Sequence, residues 1–376
     1  LHNPTLYSNM VNVMREYTKW AGEITNPWDV PSIIRRAFKV ASTPPTGPVF
    51  VSLAWDALNG EADVDIIPSV GGYYRVRPDT QAVIAAARLL AKAHRPLILI
   101  GDRVSQSPGA PMEVAKVAEQ IGAPVYATSF SEVHIPSSHP LYMGTFDTSW
   151  LHLSMKRQFD RADAILAIGT EVMVQSMPTP EPPFSGPPKL IHLDCSDWDI
   201  QRSYPVAVGV LGDIKTCLEE LSLALDDAMP GAAKEMARSR QAAVAEEKCR
   251  KQELFQDMVR ERWDLLPMSP ERFAVELKDA LPHDALICDD SITVRSALLG
   301  AINFDQPIVN SHKFWFICFC IITCISLMHR IAHRQQFWSS SPKFSNSPEP
   351  REPSLFGTAS GKRVAILGYA FKKDTN

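Results

Sequence analysis

The sequence carries little net charge for its length, which removes several kinds of partner at the outset. Its 376 residues contain 38 Lys and Arg against 42 Asp and Glu, giving a net charge of -4 and a pI near 6.2. Nucleic acids and anionic membranes are bound by basic surfaces, so neither is expected as a partner. With 45% apolar and 21% charged residues, the composition is that of an ordinary globular protein. A length of 376 residues predicts two to three domains of about 150 residues each.

The sequence also lacks the paired cysteines of a secreted scaffold. Four of its seven cysteines are scattered, and Cys318, Cys320 and Cys324 are crowded together. An odd number without paired spacing indicates a reducing compartment. We therefore expect the cytoplasm, with mitochondria as the alternative. The chain starts at Leu1 without a charged-then-apolar leader and stops at Asn376 within a pattern, so both ends are interpreted as cuts.

Helix and strand patterns alternate through the middle of the chain. Asp79 is in position to cap a helix that begins at Thr80, and Asp213 to cap one that begins at Ile214. Between them, apolar runs predict about five strands separated by crossover helices. The runs are Pro96–Ile100, Val125–Ala127, Ala164–Ile168, Leu190–Leu193 and Pro205–Val210. This alternation predicts an α/β fold with a Rossmann-like, doubly wound parallel sheet.

Acidic residues are absent between Gln306 and Pro348. Within this stretch, Phe314–Met328 has no charge, but as a helix it would span about 22 Å against a hydrocarbon core of about 30 Å. This argues against a membrane span. The three crowded cysteines have no second pair with metal-ligand spacing. We interpret residues 306–356 as non-native sequence such as a translated intron, or as a disordered or apolar stretch outside the fold.

Five stretches, taken in order, resemble one enzyme family. They are Ala41–Asp56, Arg95–Gly101, Ala162–Gly169, Leu190–Asp194 and Leu286–Ser296. Over residues 1 to about 305 the chain resembles the thiamine diphosphate-dependent decarboxylases and carboligases, close to the benzoylformate decarboxylase and acetolactate synthase branch. The resemblance implies cleavage or formation of a C–C bond of a small-molecule 2-keto acid. It also implies thiamine diphosphate and Mg²⁺ as cofactors, and a homo-oligomer as the form of complete relatives.

The resemblance and the changes in composition divide the chain into six parts. They are the C-terminal end of a pyrimidine-binding domain (1–68), a central Rossmann-like domain (69–228), a helical linker (229–268), the start of a diphosphate-binding domain (269–305), the non-native stretch (306–356) and a terminal fragment (357–376). We expect only the central domain to be complete, flanked by incomplete α/β domains.

Catalysis in the family depends on two elements that this sequence does not show. One is a Glu of the pyrimidine-binding domain, which protonates the aminopyrimidine ring of the cofactor. The other is a Gly-Asp-Gly motif with a downstream Asn, which holds Mg²⁺ against the diphosphate. The only Gly-Asp pairs are Gly101-Asp102 and Gly212-Asp213, both in the central domain. We therefore assign no catalytic or metal-binding residue and expect the chain to be inactive, without useful affinity for the cofactor.

The remaining candidates for cofactor binding are Asp290, Ser291 and Thr293, which follow the strand that resembles the start of the diphosphate-binding domain. In relatives, hydroxyl groups at this turn help to hold the diphosphate at a helix N-terminus. Alternatively, Asp290 or Ser291 caps a helix over Thr293–Ala301. We favour the cap, because a single phosphate contact cannot replace a metal site.

The central domain holds FAD in acetolactate synthases and is purely structural in other members of the family. A dinucleotide fingerprint requires G-x-G-x-x-G after a strand. Here the turn Gly101–Val104 has no second glycine, so FAD is not expected. Arg103 could contact a phosphate, but we expect it to be a solvated loop residue.

Other polar residues of the central domain leave several alternatives open. Benzoylformate decarboxylases carry an active-site His in the loop that corresponds to Met173–Pro188, which contains none. His134 and His139 have no acidic or cysteine partners nearby in sequence and are expected to be ordinary loop histidines. Asp194 and Asp197 follow a strand and are either hydrogen-bonding groups or a helix cap.

The terminal residues Gly361–Thr375 resemble a different family, the UDP-glucose dehydrogenases, at the strand that opens their UDP-binding domain. Phe371 and Lys372 match a Phe-Lys pair that contacts the sugar nucleotide there, and they are our candidates for substrate binding. Two alternatives to a broken thiamine diphosphate enzyme therefore stay open. One is a non-catalytic central-domain module, and the other is a UDP-glucose dehydrogenase fragment or fusion.

Overall fold

The chain forms two structural units, which are described in turn. A computed structural model describes residues 8–67, 75–128, 135–145, 153–172, 190–282, 286–289, 291, 294–305 and 364–367. The first unit comprises Leu1–Glu253 with Asn303–Val309, and the second comprises Leu254–Ile302 with Asn310–Asn376.

The first unit begins with a small βαβ arrangement. Its elements are α1 (Met10–Arg15), β1 (Trp20–Ile24), α2 (Val30–Ser42), β2 (Val49–Leu53) and α3 (Trp55–Asn59). The two strands pair in parallel, with Trp20 opposite Val49 and Ile24 opposite Leu53. Strand β1 does not stand out in the sequence. The residues Gly22 and Glu23 interrupt its apolar character, so no continuous run indicates a strand.

A six-stranded parallel sheet forms the centre of the first unit. Its elements are α4 (Thr80–Ala91), β3 (Pro96–Ile100), α5 (Arg103–Gln106), α6 (Ala110–Ile121), β4 (Val125–Ala127), β5 (Tyr142–Thr145), α7 (Leu153–Arg161), β6 (Ala164–Ile168), β7 (Leu190–Asp194), β8 (Val208–Leu211), α8 (Ile214–Ala228) and the larger part of α9 (Gly231–Glu261), whose residues from Leu254 onward belong to the second unit. The strand order is β5-β4-β3-β6-β7-β8, and all neighbours are parallel. The predicted doubly wound α/β sheet is confirmed, with six strands in place of about five.

Both faces of this sheet are covered. In β3, Ile98 and Ile100 pack into the larger core cluster with α4, α6 and α8, while Leu97 and Leu99 pack into the cluster on the opposite face. Full burial of each such side chain stabilises the fold by roughly 1.5–3 kcal/mol. The strand sequences are continuous apolar runs because parallel strands between two helical layers face no solvent.

The predicted helix caps are confirmed. The Asp79 carboxylate accepts hydrogen bonds from the backbone of Gln81 and Ala82 at the start of α4. Asp213 accepts one from the backbone of Thr216 at the start of α8, at 3.1 Å. Both acids fix where a helix begins, and so where the preceding strand or loop ends.

The second unit contains α10 (Pro270–Ala280), β9 (Leu286–Asp289), α11 (Arg295–Ala301) and β10 (Val364–Leu367). Ser269 caps α10, and Ala274 packs against Ala297 and Leu298 of α11. Strand β10 pairs in parallel with β9, with Val364 opposite Leu286.

Among the ranges given above, no helix combines the length and the apolar character needed to span a bilayer. The uncharged stretch Phe314–Met328 lies outside those ranges, so the structure does not test it.

Candidate functional site at the carboxyl edge of the central sheet

The connectivity of the sheet marks one place where ligands bind in folds of this kind. From β3 the chain builds β4 and β5 on one side, and then crosses to β6, β7 and β8 on the other. The loops after β3 and β6 therefore leave in opposite directions at the carboxyl edge. In doubly wound sheets this switch point opens a crevice that receives a ligand.

In this chain the two loops touch across the switch point. The backbone N–H of Gly101 donates to Ile168 O at 3.0 Å, and that of Arg103 donates to Gly169 O at 3.2 Å. A Cβ atom added to Gly101 would lie 2.5 Å from Gly169 O and 2.6 Å from Thr170 Cβ. Protein atoms therefore fill the space directly above the ends of β3 and β6.

Arg103 forms the centre of a buried ion-pair cluster beside this contact. Its Nη1 lies 2.9 Å from Asp194 Oδ2 and its Nη2 lies 2.5 Å from Asp199 Oδ2. The Arg103 side chain is 15% exposed and that of Asp194 is fully buried. Burial opposes the charge of Arg103, but the two carboxylates outweigh it and hold its pKa above the ordinary value. The expectation of a solvated Arg103 is therefore wrong.

The cluster continues outward from Asp199. Arg202 Nη1 lies 2.7 Å from Asp199 Oδ1, and Arg202 Nη2 donates to Glu171 Oε2 at 2.8 Å. Glu171 Oε1 is in turn 3.9 Å from Arg103. Three carboxylates thus surround two guanidinium groups, which leaves the cluster with one negative charge in excess. Such a cluster does not attract a phosphate.

Two further polar contacts bind the strand ends together. His192 is buried, and its Nε2 donates to Thr170 O at 2.9 Å while lying 3.6 Å from Asp194 Oδ2. The hydroxyls of Thr128 and Thr170 are 2.6 Å apart, and the Thr128 hydroxyl donates its proton to Ile100 O. The carboxyl ends of β3, β4, β6 and β7 are therefore joined by the side chains that could otherwise have met a ligand.

The two aspartates left open by the sequence have different surroundings. Asp194 is a hydrogen-bonding group that accepts from Ser196 N–H at 2.9 Å as well as from Arg103. Asp197 is exposed.

His139 has a partner that the sequence did not indicate. Its Nε2 is 3.2 Å from Glu119 Oε1, and its Nδ1 accepts from Leu141 N–H. His134 and the loop Met173–Pro188 lie outside the described residues.

The candidates for diphosphate binding are only partly described. Asp290 and Thr293 lie outside the described residues, and Ser291 is 4% exposed. Helix α11 begins at Arg295 with Val294 at the N-cap position. Ser291 therefore lies three residues before the N-cap position, so the expectation that Ser291 caps this helix is wrong.

The two Gly-Asp pairs do not fit a Mg²⁺ and diphosphate site. Asp213 accepts from Thr216 and Ser107, and it pairs with Arg75 at 3.1 Å, so both of its carboxylate oxygens are engaged. Asp102 lies at the closed switch point, immediately before Arg103. Within the part of the chain that the structure describes, no group of three or more His, Cys, Asp or Glu is arranged to hold a metal ion.

The dehydrogenase-like candidates Phe371 and Lys372 also lie outside the described residues. The neighbouring strand β10 is described, and it pairs with β9.

Comparison with known proteins identifies the domain that carries this sheet. Residues 83–221 match the family profile described as "Thiamine pyrophosphate enzyme, central domain". This part of the chain is similar to the central domain of thiamine pyrophosphate enzymes. Thiamine diphosphate with Mg²⁺ is the cofactor of this family, as the resemblance implied.

Curated relatives agree with the profile. Sulfoacetaldehyde acetyltransferase of Castellaniella defragrans is 27% identical over 314 residues, covering 78% of this chain and 51% of the relative. A probable acetolactate synthase large subunit of Methanocaldococcus jannaschii is 30% identical over 220 residues, covering 55% of this chain and 36% of the relative. The chain thus spans about half or less of the length of these relatives.

Solved structures share the fold. The benzoylformate decarboxylase from Polynucleobacter necessarius aligns with a TM-score of 0.62 and 22% identity, over 81% of this chain and 54% of that one. The 4-hydroxybenzoylformate decarboxylase of Rhodococcus jostii RHA1 aligns with a TM-score of 0.60 and 19% identity, over 80% and 53%.

Sequence reasoning missed four members of the cluster in this central domain: Glu171, His192, Asp199 and Arg202. One feature of the sequence could have indicated these residues. Each lies within or shortly after a continuous apolar strand, β6 or β7, whose carboxyl ends must meet at one edge of a parallel sheet. Residues of opposite charge at that edge are expected to form ion pairs.

Proposed function

We propose that this chain derives from a thiamine diphosphate- and Mg²⁺-dependent enzyme that cleaves or forms a carbon–carbon bond next to the carbonyl of a 2-keto acid. The observation that carries the proposal is the match of residues 83–221 to the central domain of the family. It is supported by the names of the relatives, which include an acetyltransferase, an acetolactate synthase and a benzoylformate decarboxylase.

We further propose that the chain as printed is catalytically incomplete. The sequence contains no Gly-Asp-Gly motif, and Asp213 of the second Gly-Asp pair is committed to Arg75, Ser107 and Thr216. A hard cation bridging a diphosphate needs free carboxylate and amide oxygens.

In this proposal the central domain acts as a structural module. The excess negative charge of the Arg103 cluster and the filled switch point disfavour a dinucleotide such as FAD, because a pyrophosphate needs free N–H donors and close approach to the backbone. The buried contacts of Gly101, Gly169 and Thr170 support this role.

The proposal extends to compartment and assembly. Cys195, Cys217 and Cys249 are free thiols, and burial raises the pKa of both Cys195 and Cys217 to about 12, so these two are poor nucleophiles for disulfide exchange. The odd number of cysteines without paired spacing supports a reducing compartment, the cytoplasm or the mitochondria. A homo-oligomer is proposed for the complete enzyme only.

A turnover assay tests the proposal. With pyruvate or benzoylformate, thiamine diphosphate and Mg²⁺, we expect the chain to release carbon dioxide no faster than the cofactor in buffer. A complete benzoylformate decarboxylase serves as the positive control. Release that saturates with thiamine diphosphate would overturn the incompleteness, whereas NADH formation dependent on UDP-glucose would favour the dehydrogenase alternative.

A further inference from the structure

The loop between β4 and β5 holds a second segment of the first unit, far away in sequence. Ser137 N–H donates to Phe304 O at 3.0 Å, and Phe304 N–H donates back to Ser137 Oγ at 2.7 Å. Ser138 N–H donates to Asp305 Oδ1 at 2.9 Å. Two consecutive residues of the loop are therefore bonded to two consecutive residues that lie 167 positions away.

The loop is built to present these groups. Ile135 and Leu141, at the two ends of the described part of the loop, are buried in the core at 2% exposure each. Between them, His139 N–H donates to Pro136 O, and the His139 ring bonds to Glu119 of α6 and to Leu141 N–H. None of these contacts involves Phe304 or Asp305.

Lys248 of α9 reinforces the same loop from the other side. Its Nζ donates to Ser137 O and His139 O, both at 2.6 Å. Ser137 is the residue that contacts Phe304 through its N–H and its hydroxyl. His139 lies two residues further along the same loop. An ammonium that bridges two carbonyls fixes the turn, because charge-assisted hydrogen bonds are short and strong.

We propose that the loop Ser137–His139 is a docking site for the extended segment Phe304–Asp305, and that Lys248 is the residue that positions it. The site recognises backbone groups of one residue and a carboxylate on the next. This docking site is separate from the proposed function.

The charge of Lys248 gives the docking site a pH dependence. Burial lowers the pKa of Lys248 to about 8, while Asp305 and Cys249 act to raise it. His139, which bonds Glu119, is the other titratable group of the loop. Because the docked Asp305 carboxylate raises the pKa of Lys248, release of Asp305 lowers that pKa, and the undocked state binds fewer protons near pH 8. Raising the pH through about 8 should therefore weaken docking.

Amide hydrogen exchange of the full chain tests the docking site. In Lys248→Met we expect the amides of Ser137, Ser138 and Phe304 to exchange on the order of tenfold faster, since a hydrogen bond to a charged group is removed on each side of the turn. The control is Arg250→Met, an exposed residue of the same helix. Equal protection in the two variants would overturn the proposal.

Asp305→Asn provides a second test, whose result depends on whether Asp305 is docked beside Lys248. Asparagine keeps the Oδ1 acceptor for Ser138 N–H but removes the charge that raises the pKa of Lys248. In an NMR titration of lysine labelled at Cε, we expect the midpoint of Lys248 to fall below that of the unchanged protein. An unchanged midpoint would show that Asp305 is not docked, and this result holds even if Lys248→Met does not fold.

Discussion

Replacing Arg103 with methionine is expected to lower the free energy of unfolding by about 3–5 kcal/mol, because removing one partner of a buried ion pair leaves an uncompensated charge. Asp194 is fully buried and Asp199 nearly so, which leaves little room for water to replace the guanidinium. Methionine preserves most of the apolar volume of the arginine side chain. The loss of stability therefore measures the effect of removing the positive charge. Urea denaturation followed by circular dichroism measures it.

Two comparisons separate this effect from ordinary surface electrostatics. Arg77 pairs with Glu220 at 2.8 Å, but its side chain is 76% exposed, so Arg77→Met should change stability by about 0–1 kcal/mol. Adding Asp194→Asn and Asp199→Asn to Arg103→Met should recover part of the loss, since the buried charges are then gone. A single Arg103→Met variant within 1 kcal/mol of the unchanged protein, roughly the surface range, would contradict the buried cluster.

Gly101→Ala is expected to destabilise the central domain by at least about 1–3 kcal/mol, the range for overpacking a well-filled site. The added methyl group would lie 2.5 Å from Gly169 O and 2.8 Å from Thr170 Cα. Both are main-chain atoms, so no side chain can rotate to make room. The strands β3 and β6 would have to separate at the switch point. The midpoint of denaturation measures the resulting loss of stability.

The matched control is Gly231→Ala at the first residue of α9. Nothing lies within 4 Å of a Cβ atom placed there, so the change should stay within about 0.5 kcal/mol. If Gly101→Ala were equally mild, the switch point would be open, and the case against a dinucleotide there would fail.

The strands of the central domain were predictable because a strand buried on both faces is a continuous run of apolar residues. The bounds of β3, β4 and β6 agree with the predicted runs at every residue. Strand β5 was missed, since Tyr142–Thr145 is short and contains Gly144 at a φ of +104°. A four-residue edge strand with a glycine has no periodic pattern that distinguishes it from a loop.

The candidate site was less predictable, because its contacts join distant parts of the chain. Arg103 was interpreted from its neighbours in the turn, whereas its partners Asp194 and Asp199 lie 91 and 96 positions away. Local pattern indicates that a charged residue follows a strand, but not which opposite charge follows the neighbouring strand. The division into six parts, and the binding roles of Asp290, Ser291, Thr293, Phe371 and Lys372, stay predictions.

Calorimetric titration of the chain with thiamine diphosphate, with Mg²⁺ present and then with the metal chelated, tests the central claim most directly. We expect the same small, unsaturable heat in both titrations, because Asp213 and Asp194 are engaged by Arg75 and Arg103 and the sequence has no Gly-Asp-Gly motif. Saturable binding that disappears when Mg²⁺ is removed would contradict it, and would place a working cofactor site in this chain.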